Sequence, residues 1–294
     1  MSTGHQERDQ PLSGGMMNTV VRRGERVVRV APPHAAALHD FLSALTGGGF
    51  TGAPRPLALR PAEGDEGPGT EELTFVEGDV ALPPFPAWSR ADRVVASAAR
   101  LLRRYHDAAE HVPLRAGTAW PTALSDPEGG TVLCHNDPCL ENLVFRDGEA
   151  VALIDFDLAA PGRPVWDLAA LAFYLGPALP PEALARTEFA GARLPHRLRL
   201  IADGYGLCDA ERRSLPEALE QYDEVSRDFV RDMVDQGSPP FVRSVERAGG
   251  WAAWERTKAR RGRWLREQRP ALLSALTGLS LAAGRYALRV TATR

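Results

Sequence analysis

Two short runs rich in valine and arginine predict a β-hairpin near the start of the chain. Residues 19–23 and 26–30 flank a Gly-Glu pair, which is typical of two strands joined by a tight turn. Apolar residues then recur at helical spacing over residues 34–45, and the glycines at 47–49 predict the end of that helix. The chain therefore opens with paired strands followed by one helix.

Further strands are predicted over residues 54–59 and 72–76, separated by a Gly- and Glu-rich loop at 62–70. A long amphipathic helix follows over residues 90–109, with its apolar side chains on one face. Residues 131–134 form a short apolar run that favours a buried strand.

An Asp-Gly pair at 147–148 separates two apolar runs, residues 142–145 and 151–154, and predicts a second hairpin. Beyond Asp167 the pattern is mostly helical. We therefore expect an α+β protein in which residues 1–11 form a disordered tail. Residues 12–78 are expected to form a small β-rich lobe, and residues 79–294 a larger, mostly helical one.

Composition excludes several classes of protein. The 294 residues include 35 Lys+Arg and 38 Asp+Glu, a net charge of −3, so no basic field indicates nucleic acid binding. No apolar run approaches the ~20 residues that span a bilayer, and the polar first ten residues do not resemble a secretory signal. Three cysteines without paired spacing favour neither a disulfide framework nor a zinc site. We expect a cytoplasmic protein without a membrane or nucleic acid partner; the sequence indicates no oligomeric state.

Polar residues suited to phosphoryl transfer follow two of the predicted strands. Asp137 lies just after the strand at 131–134, Asn142 follows five residues later, and Asp155 ends the second hairpin. A carboxylate can orient the proton of an attacking hydroxyl, and amide and carboxylate oxygens are ligands that Mg²⁺ prefers. A strand-loop-strand arrangement brings all three side chains to one edge, which predicts a site of phosphoryl transfer.

This motif resembles that of the aminoglycoside phosphotransferase family, which includes antibiotic and choline-kinase-like enzymes. The resemblance rests on His135-Asn136-Asp137, Asn142, the run 154–157 (Ile-Asp-Phe-Asp) and the run 166–169 (Trp-Asp-Leu-Ala), and its weaker features extend over nearly the full chain. It implies a protein-kinase-like two-lobed fold, ATP or GTP as phosphoryl donor, Mg²⁺, and a small-molecule hydroxyl as acceptor.

The resemblance also implies roles for individual residues of the catalytic segment. Asp137 would be the catalytic base and His135 a loop-shaping residue. Asn142 and Asp155 would hold magnesium, with Asp157 as a supporting metal contact. Asp167 would be a buried structural carboxylate that anchors the catalytic loop.

For the nucleotide, the resemblance implies two binding segments. The backbone of residues 72–76, including Thr74, Phe75 and Val76, would hydrogen-bond adenine. The loop from Ser13 through Gly14 to Asn18 would cover the phosphates.

Two departures from the family pattern stand out. Arg29 occupies the strand position of the usual phosphate-pairing lysine, and the following helix offers only Asp40 where the glutamate partner should be. An arginine keeps the charge but is a planar fork, so Arg29 either contacts the phosphates or leaves that task to Arg22, Arg23 or Arg26. Asn136 replaces the usual glycine, and asparagine tolerates a left-handed backbone.

The acceptor is less defined by the sequence. Residues 217–235 are rich in acids and residues 251–270 in bases; these charges either pair and are solvated, or Glu224 and Asp228 line a pocket for a cationic acceptor. The family makes an antibiotic plausible: an aminoglycoside, a cyclic cationic peptide or a nucleoside antibiotic. The alternatives are a metabolic kinase for choline, homoserine or a sugar, and an inactive nucleotide-binding pseudokinase, which the missing lysine–glutamate pair suggests.

Overall fold

A five-stranded antiparallel sheet forms the first part of the protein. The computed structural model describes residues 9–12, 20–61 and 69–278. The sheet has the order β1-β2-β3-β5-β4, and its strands are β1 (Gln10–Pro11), β2 (Val20–Arg23), β3 (Arg26–Val30), β4 (Pro56–Arg60) and β5 (Thr70–Thr74). Helix α1 (Ala35–Gly47) buries Leu38, Phe41 and Leu42. The predicted hairpin of β2 and β3 is confirmed over the described residues.

The prediction of a disordered tail is wrong for residues 9–11. Gln10 and Pro11 pair with Arg22 and Val21 of β2. Asp9 accepts two hydrogen bonds from Arg23, at 2.6 and 2.8 Å. Pairing with β2 covers what would otherwise be an open sheet edge. The composition of the segment does not reveal this pairing.

Short strands connect this sheet to the helical part. Strand β6 (Asp79–Val80) pairs with β8 (Leu143–Arg146), which pairs with β9 (Glu149–Leu153). Strand β7 (Val132–Cys134) pairs with β10 (Ala160–Gly162). The loop between β7 and β8 therefore lies beside the segment that follows β9. These two segments carry the polar residues that the sequence analysis singled out.

Seven helices complete the protein over the described residues: α2 (Asp92–Ala109), α3 (Pro164–Leu175), α4 (Pro181–Leu184), α5 (Leu194–Tyr205), α6 (Asp209–Asp235), α7 (Pro239–Arg247) and α8 (Trp251–Thr277). Helix α2 packs on α5, α3 on α6, and α6 on α8. Their core contains fully buried Tyr105, Trp166 and Tyr222. Among the described residues, no helix has the length and apolar character required to cross a membrane.

Element boundaries shift modestly from those expected. The strand predicted over 72–76 is β5 at Thr70–Thr74, and α2 begins at Asp92 because Ala91 is extended, with ψ of 148°. Gly78 follows the sheet and has φ of +146°. A Cβ there would approach the carbonyl oxygen of Phe145 to 2.6 Å, so glycine is required where the chain passes β8.

Candidate active site

A fully buried carboxylate holds the loop that follows β7. Asp167 of α3 accepts the backbone N–H of Asn136 on Oδ1 at 2.7 Å and that of His135 on Oδ2 at 2.8 Å. His106 Nε2 donates to the same Oδ2 at 2.9 Å, and its Nδ1 lies 2.9 Å from the Tyr205 hydroxyl oxygen. Three donors on one carboxylate fix the loop against α2 and α3.

His135 and Asn136 shape the loop through backbone contacts. His135 Nδ1 accepts the N–H of Asp137 at 3.3 Å, and its Nε2 donates to the carbonyl of Ile154 at 2.9 Å. Asn136 has φ of +67°, the left-handed conformation that the sequence suggested asparagine could adopt. Its Nδ2 donates to the carbonyl of Leu158 at 2.7 Å. These contacts tie the loop to the segment that carries Asp155 and Asp157.

Asp137 and Asn142 face each other across the loop. Asn142 Nδ2 donates to the Asp137 carbonyl at 2.9 Å and to its Oδ2 at 3.0 Å. Burial raises the pKa of Asp137, and this rise is opposed by a hydrogen bond from the Tyr174 hydroxyl and by His135. Asp155 stands opposite with φ of +64°. The structure thus brings Asp137, Asn142 and Asp155 to one place.

Arg29 joins the sheet to this cluster. Its side chain crosses from β3 and donates Nε to Glu71 Oε1 at 2.7 Å, Nη1 to Asp155 Oδ1 at 2.7 Å and Nη2 to Asp157 Oδ1 at 2.5 Å. Arg29 is 7% exposed. Burial alone lowers the pKa of Arg29, but the three carboxylates outweigh it and keep the pKa above its ordinary value.

The glutamate partner of Arg29 comes from a strand and not from the helix where it was expected. Glu71 is the direct cross-strand neighbour of Arg29 in the pairing of β3 with β5. Asp40 of α1 is exposed and pairs with Arg115 at 3.3 Å. Helix α1 contributes His39 instead, whose Nε2 lies 2.7 Å from Glu71 Oε2. Opposite charges at directly paired sheet positions attract, so strand register was the signal that could have identified Glu71.

A cavity of about 290 Å³ opens beside Arg29. Its apolar wall comes from both parts of the protein and includes Leu12, Val20, Val27, Leu73, Val80, Val144 and Ile154. Arg29, Glu141, Asn142 and Asp155 line its polar end. An apolar slot that ends in charged groups suits a flat base attached to phosphates.

Thr74, Phe75 and Val76, which were expected to bind adenine, line the same cavity. The N–H of Thr74 donates to the carbonyl of Arg55, and the N–H of Phe75 donates to that of Glu25, both at 2.9 Å. Among these three residues, the N–H of Val76 is the one that makes no hydrogen bond to another described residue.

Two sets of expected site residues remain. Ser13, Gly14 and Asn18 fall outside the described residues. Glu224 is exposed and pairs with Arg266 of α8 at 3.3 Å, while Asp228 is exposed and pairs with Arg231 at 2.7 Å. Glu224 thus contacts α8, whereas Asp228 contacts a residue of its own helix, and among the described residues neither forms a hydrogen bond with Asp137.

Two tyrosines beside Asp137 were not anticipated as site residues. The Tyr222 hydroxyl donates to the Asn136 carbonyl at 2.9 Å and lies 3.3 Å from the Tyr174 hydroxyl. Arg261 lies over the ring of Phe173, 4.5 Å from its centre, and pairs with buried Asp223. Tyr222 belongs to the apolar stripe of α6, so sequence alone indicated burial without indicating contact with the catalytic loop.

This chain resembles known proteins over most of its length. The model of the phosphotransferase enzyme family matches residues 9–128 and 116–201. The trifolitoxin immunity protein of Rhizobium leguminosarum bv. trifolii is 30% identical over 272 residues, which cover 90% of this chain and 97% of that protein.

Solved structures share the two-lobed kinase-like fold. A choline/ethanolamine kinase family protein from Mesorhizobium loti has a TM-score of 0.61 at 18% identity, over 94% of this chain and 95% of that one. The aminoglycoside phosphotransferase of Streptomyces rimosus, solved with ADP and streptomycin, has a TM-score of 0.50 at 20% identity, over 76% and 94%. The expected fold class is thereby confirmed, and the protein belongs to the phosphotransferase enzyme family.

Proposed function

We propose that this protein transfers the γ-phosphoryl group of ATP to a hydroxyl group of a small molecule. The observation that carries the proposal is that Arg29, Asn142 and Asp155 line the cavity, while Asn142 also binds the Asp137 carboxylate and Arg29 binds Asp155. Phosphoryl transfer requires little covalent help from a protein but depends on positioning and on charge stabilisation. These four side chains supply both.

The residues present fit a divalent cation. Glu71, Asp155 and Asp157 bring three carboxylates to the guanidinium of Arg29. The pKa of Asp157 is raised to about 6, chiefly by burial and also by Asp155 and Glu71, against the opposing effect of Arg29. Asn142, Asp155 and Asp157 would hold Mg²⁺ through oxygen, and the ion when bound would neutralise phosphate charge.

Each remaining residue has a defined task in this proposal. Asp137 accepts the proton of the acceptor hydroxyl and orients its oxygen toward the donor phosphate. Asn142 holds the Asp137 carboxylate through its Nδ2 donor, and Arg29 steadies the phosphates. Leu73 and Val144 on opposite cavity walls enclose the base, for which Val76 offers a backbone donor.

For the acceptor, we propose an antibiotic or toxin-like natural product. The support is the immunity function named for the relative of 30% identity. A cationic acceptor such as an aminoglycoside receives no support from Glu224 and Asp228, because arginines already pair with both. The pseudokinase alternative rests on the missing lysine–glutamate pair; the Arg29–Glu71 pair offers a replacement for that pair and supports an active enzyme. A metabolic kinase stays the alternative.

The test is a transfer assay with purified protein, Mg²⁺ and γ-labelled ATP or GTP over a panel of hydroxyl compounds. The panel contains trifolitoxin, aminoglycosides, nucleoside antibiotics, choline, homoserine and sugars. We expect the wild type to transfer the labelled phosphoryl group to one of the antibiotics or to trifolitoxin. The Asp137→Asn variant is expected to transfer no label to that compound. Transfer only to choline, homoserine or a sugar would overturn the acceptor proposal. The pseudokinase would be favoured if the protein bound nucleotide but transferred label to no compound of the panel, and if a host expressing the protein were not protected against the antibiotics and the toxin.

A further inference from the structure

The side chain that replaces the usual lysine is held by an unusual set of neighbours. We propose that Glu71 and His39 are positioning residues that aim the Arg29 guanidinium at Asp155, Asp157 and the donor phosphates. The inference rests on the proposed nucleotide site and assigns a task to two residues outside the catalytic motif. Glu71 comes from the neighbouring strand and His39 from α1. Together they would position the basic side chain, a role for which the family resemblance predicted a glutamate of the helix.

Both oxygens of Glu71 are used within a fully buried setting. Oε1 accepts Arg29 Nε at 2.7 Å, and Oε2 lies 2.7 Å from His39 Nε2. Glu71 is 0% exposed, so water cannot replace either partner. A buried carboxylate with both oxygens bound has one stable orientation.

Holding Nε determines where the rest of the guanidinium points. The group is planar, and its donors leave in fixed directions. Once Nε is bound to Glu71, rotation of the fork is restrained, and Nη1 and Nη2 reach Asp155 and Asp157. A lysine ammonium is a compact point charge and could not contact all three carboxylates in this planar arrangement. The arginine and the strand glutamate therefore form one functional unit.

An exposed glutamate on β9 offers a control. Glu149 pairs with Arg100 at 2.8 Å, and the two side chains are 54% and 47% exposed. Glu149 does not line the nucleotide cavity. Glu71 and Glu149 thus share a residue type and an arginine partner, but Glu71 is buried and Glu149 is not.

The experiment measures binding of AMP-PNP by calorimetry, with and without Mg²⁺, in the full chain. Glu71→Gln is expected to weaken binding of Mg·AMP-PNP at least about tenfold, the effect of losing one charge-assisted hydrogen bond. Glu149→Gln is expected to stay within about twofold of the wild type, because it alters an exposed ion pair away from the cavity. Thermal unfolding of each variant establishes that it is folded. Equal affinity for Glu71→Gln and the wild type, or an equal loss in both variants, would overturn the proposal.

Two variants at His39 keep the test decisive if Glu71→Gln does not fold. His39→Gln retains a donor for Glu71 Oε2 and is expected to bind the nucleotide nearly as the wild type does. His39→Leu removes that donor and is expected to bind several-fold more weakly. A merely structural brace would lower the unfolding temperature in His39→Leu without changing affinity, and that result would reject the positioning role. A wild type that binds no nucleotide would instead contradict the proposed function.

Discussion

Asn142 donates its side-chain amide to both the backbone carbonyl and the carboxylate of Asp137, at 2.9 and 3.0 Å. The donor end of the amide is therefore committed to Asp137, and its carbonyl oxygen is the end that would face a metal ion in the proposed mechanism. One side chain thereby links the group proposed to receive the hydroxyl proton to the site proposed for the cation.

Replacing Asp137 by asparagine is expected to lower kcat by about 10²–10⁴-fold and to leave nucleotide affinity within a few-fold of the wild type. The amide keeps the shape of the carboxylate but cannot accept the hydroxyl proton. Steady-state kinetics and calorimetry with AMP-PNP measure the two quantities. Near-normal turnover in Asp137→Asn would contradict the proposed mechanism.

Replacing Asp155 by asparagine removes one negative charge from the cluster around Arg29. Binding of AMP-PNP in the presence of Mg²⁺ is expected to weaken at least about tenfold, while metal-free binding changes little. Calorimetry with and without Mg²⁺ checks this difference. Asp147→Asn, in the turn between β8 and β9, is the control and should bind as the wild type does. An Asp155 variant that keeps the full Mg²⁺ effect would exclude this residue as a metal ligand.

Replacing Asp167 by alanine is expected to lower the free energy of unfolding by about 3–5 kcal/mol, because two backbone N–H groups and His106 lose their only described acceptor. Urea denaturation measures the loss. Asp107→Ala removes an exposed acid of α2 that pairs with Arg103 and should cost less than about 1 kcal/mol. Similar losses in both variants would show that Asp167 does not anchor the loop.

Lys258 is the only lysine of the chain, and its environment predicts an unusual titration. Its pKa is lowered to about 7, chiefly by burial and also by the neighbouring cations Arg261 and Arg227, against the opposing effect of Asp223. Its Nζ lies 5.2 Å from the centre of the Trp254 ring. Reductive ¹³C-methylation would give a single dimethyl-lysine resonance, expected to titrate near pH 7 in the folded protein and near 10.4 in the unfolded chain.

The same shift fixes the sign of a stability effect. Between pH 7 and about 10.4 the unfolded chain binds more protons at Lys258 than the folded protein does. The cost of burying Lys258 therefore falls, and the free energy of unfolding rises, as pH increases over this range. Lys258→Met is therefore expected to be more stable than the wild type at pH 6–7, by on the order of 1–2 kcal/mol, and the difference should shrink toward pH 10. A difference that does not depend on pH would contradict the lowered pKa.

The catalytic cluster could be predicted from the sequence because its members follow strands within a short stretch of chain. Asp137, Asn142 and Asp155 all lie next to the hairpin of β8 and β9, so local periodicity was sufficient to bring them together. The family resemblance added Asp167, whose three donors come from two other segments of the chain. A position 30 residues away from the loop has no local signal for such a contact.

Glu71 and His39 could not be found in this way. Their contacts with Arg29 depend on the register of β3 with β5 and on how α1 packs against the sheet. A shift of one residue along β5 would place Glu72 beside Arg29 and expose Glu71. Likewise, the acids of α6 were candidates for an acceptor pocket because composition does not tell which helix face meets α8.

Asn136 and Asp155 both have positive φ, in the two segments that carry the chemistry. For residues other than glycine this conformation costs about 1–2 kcal/mol each, which the rest of the fold must offset. At Asp155 the proposed metal contact requires a carboxylate, so glycine could not replace it, and the conformational cost accompanies the proposed function. At Asn136 a glycine would relieve it but would give up the contact with Leu158. Of these two positions, a substitution that raises thermal stability by relieving the positive φ is therefore compatible with the proposed function at Asn136 but not at Asp155.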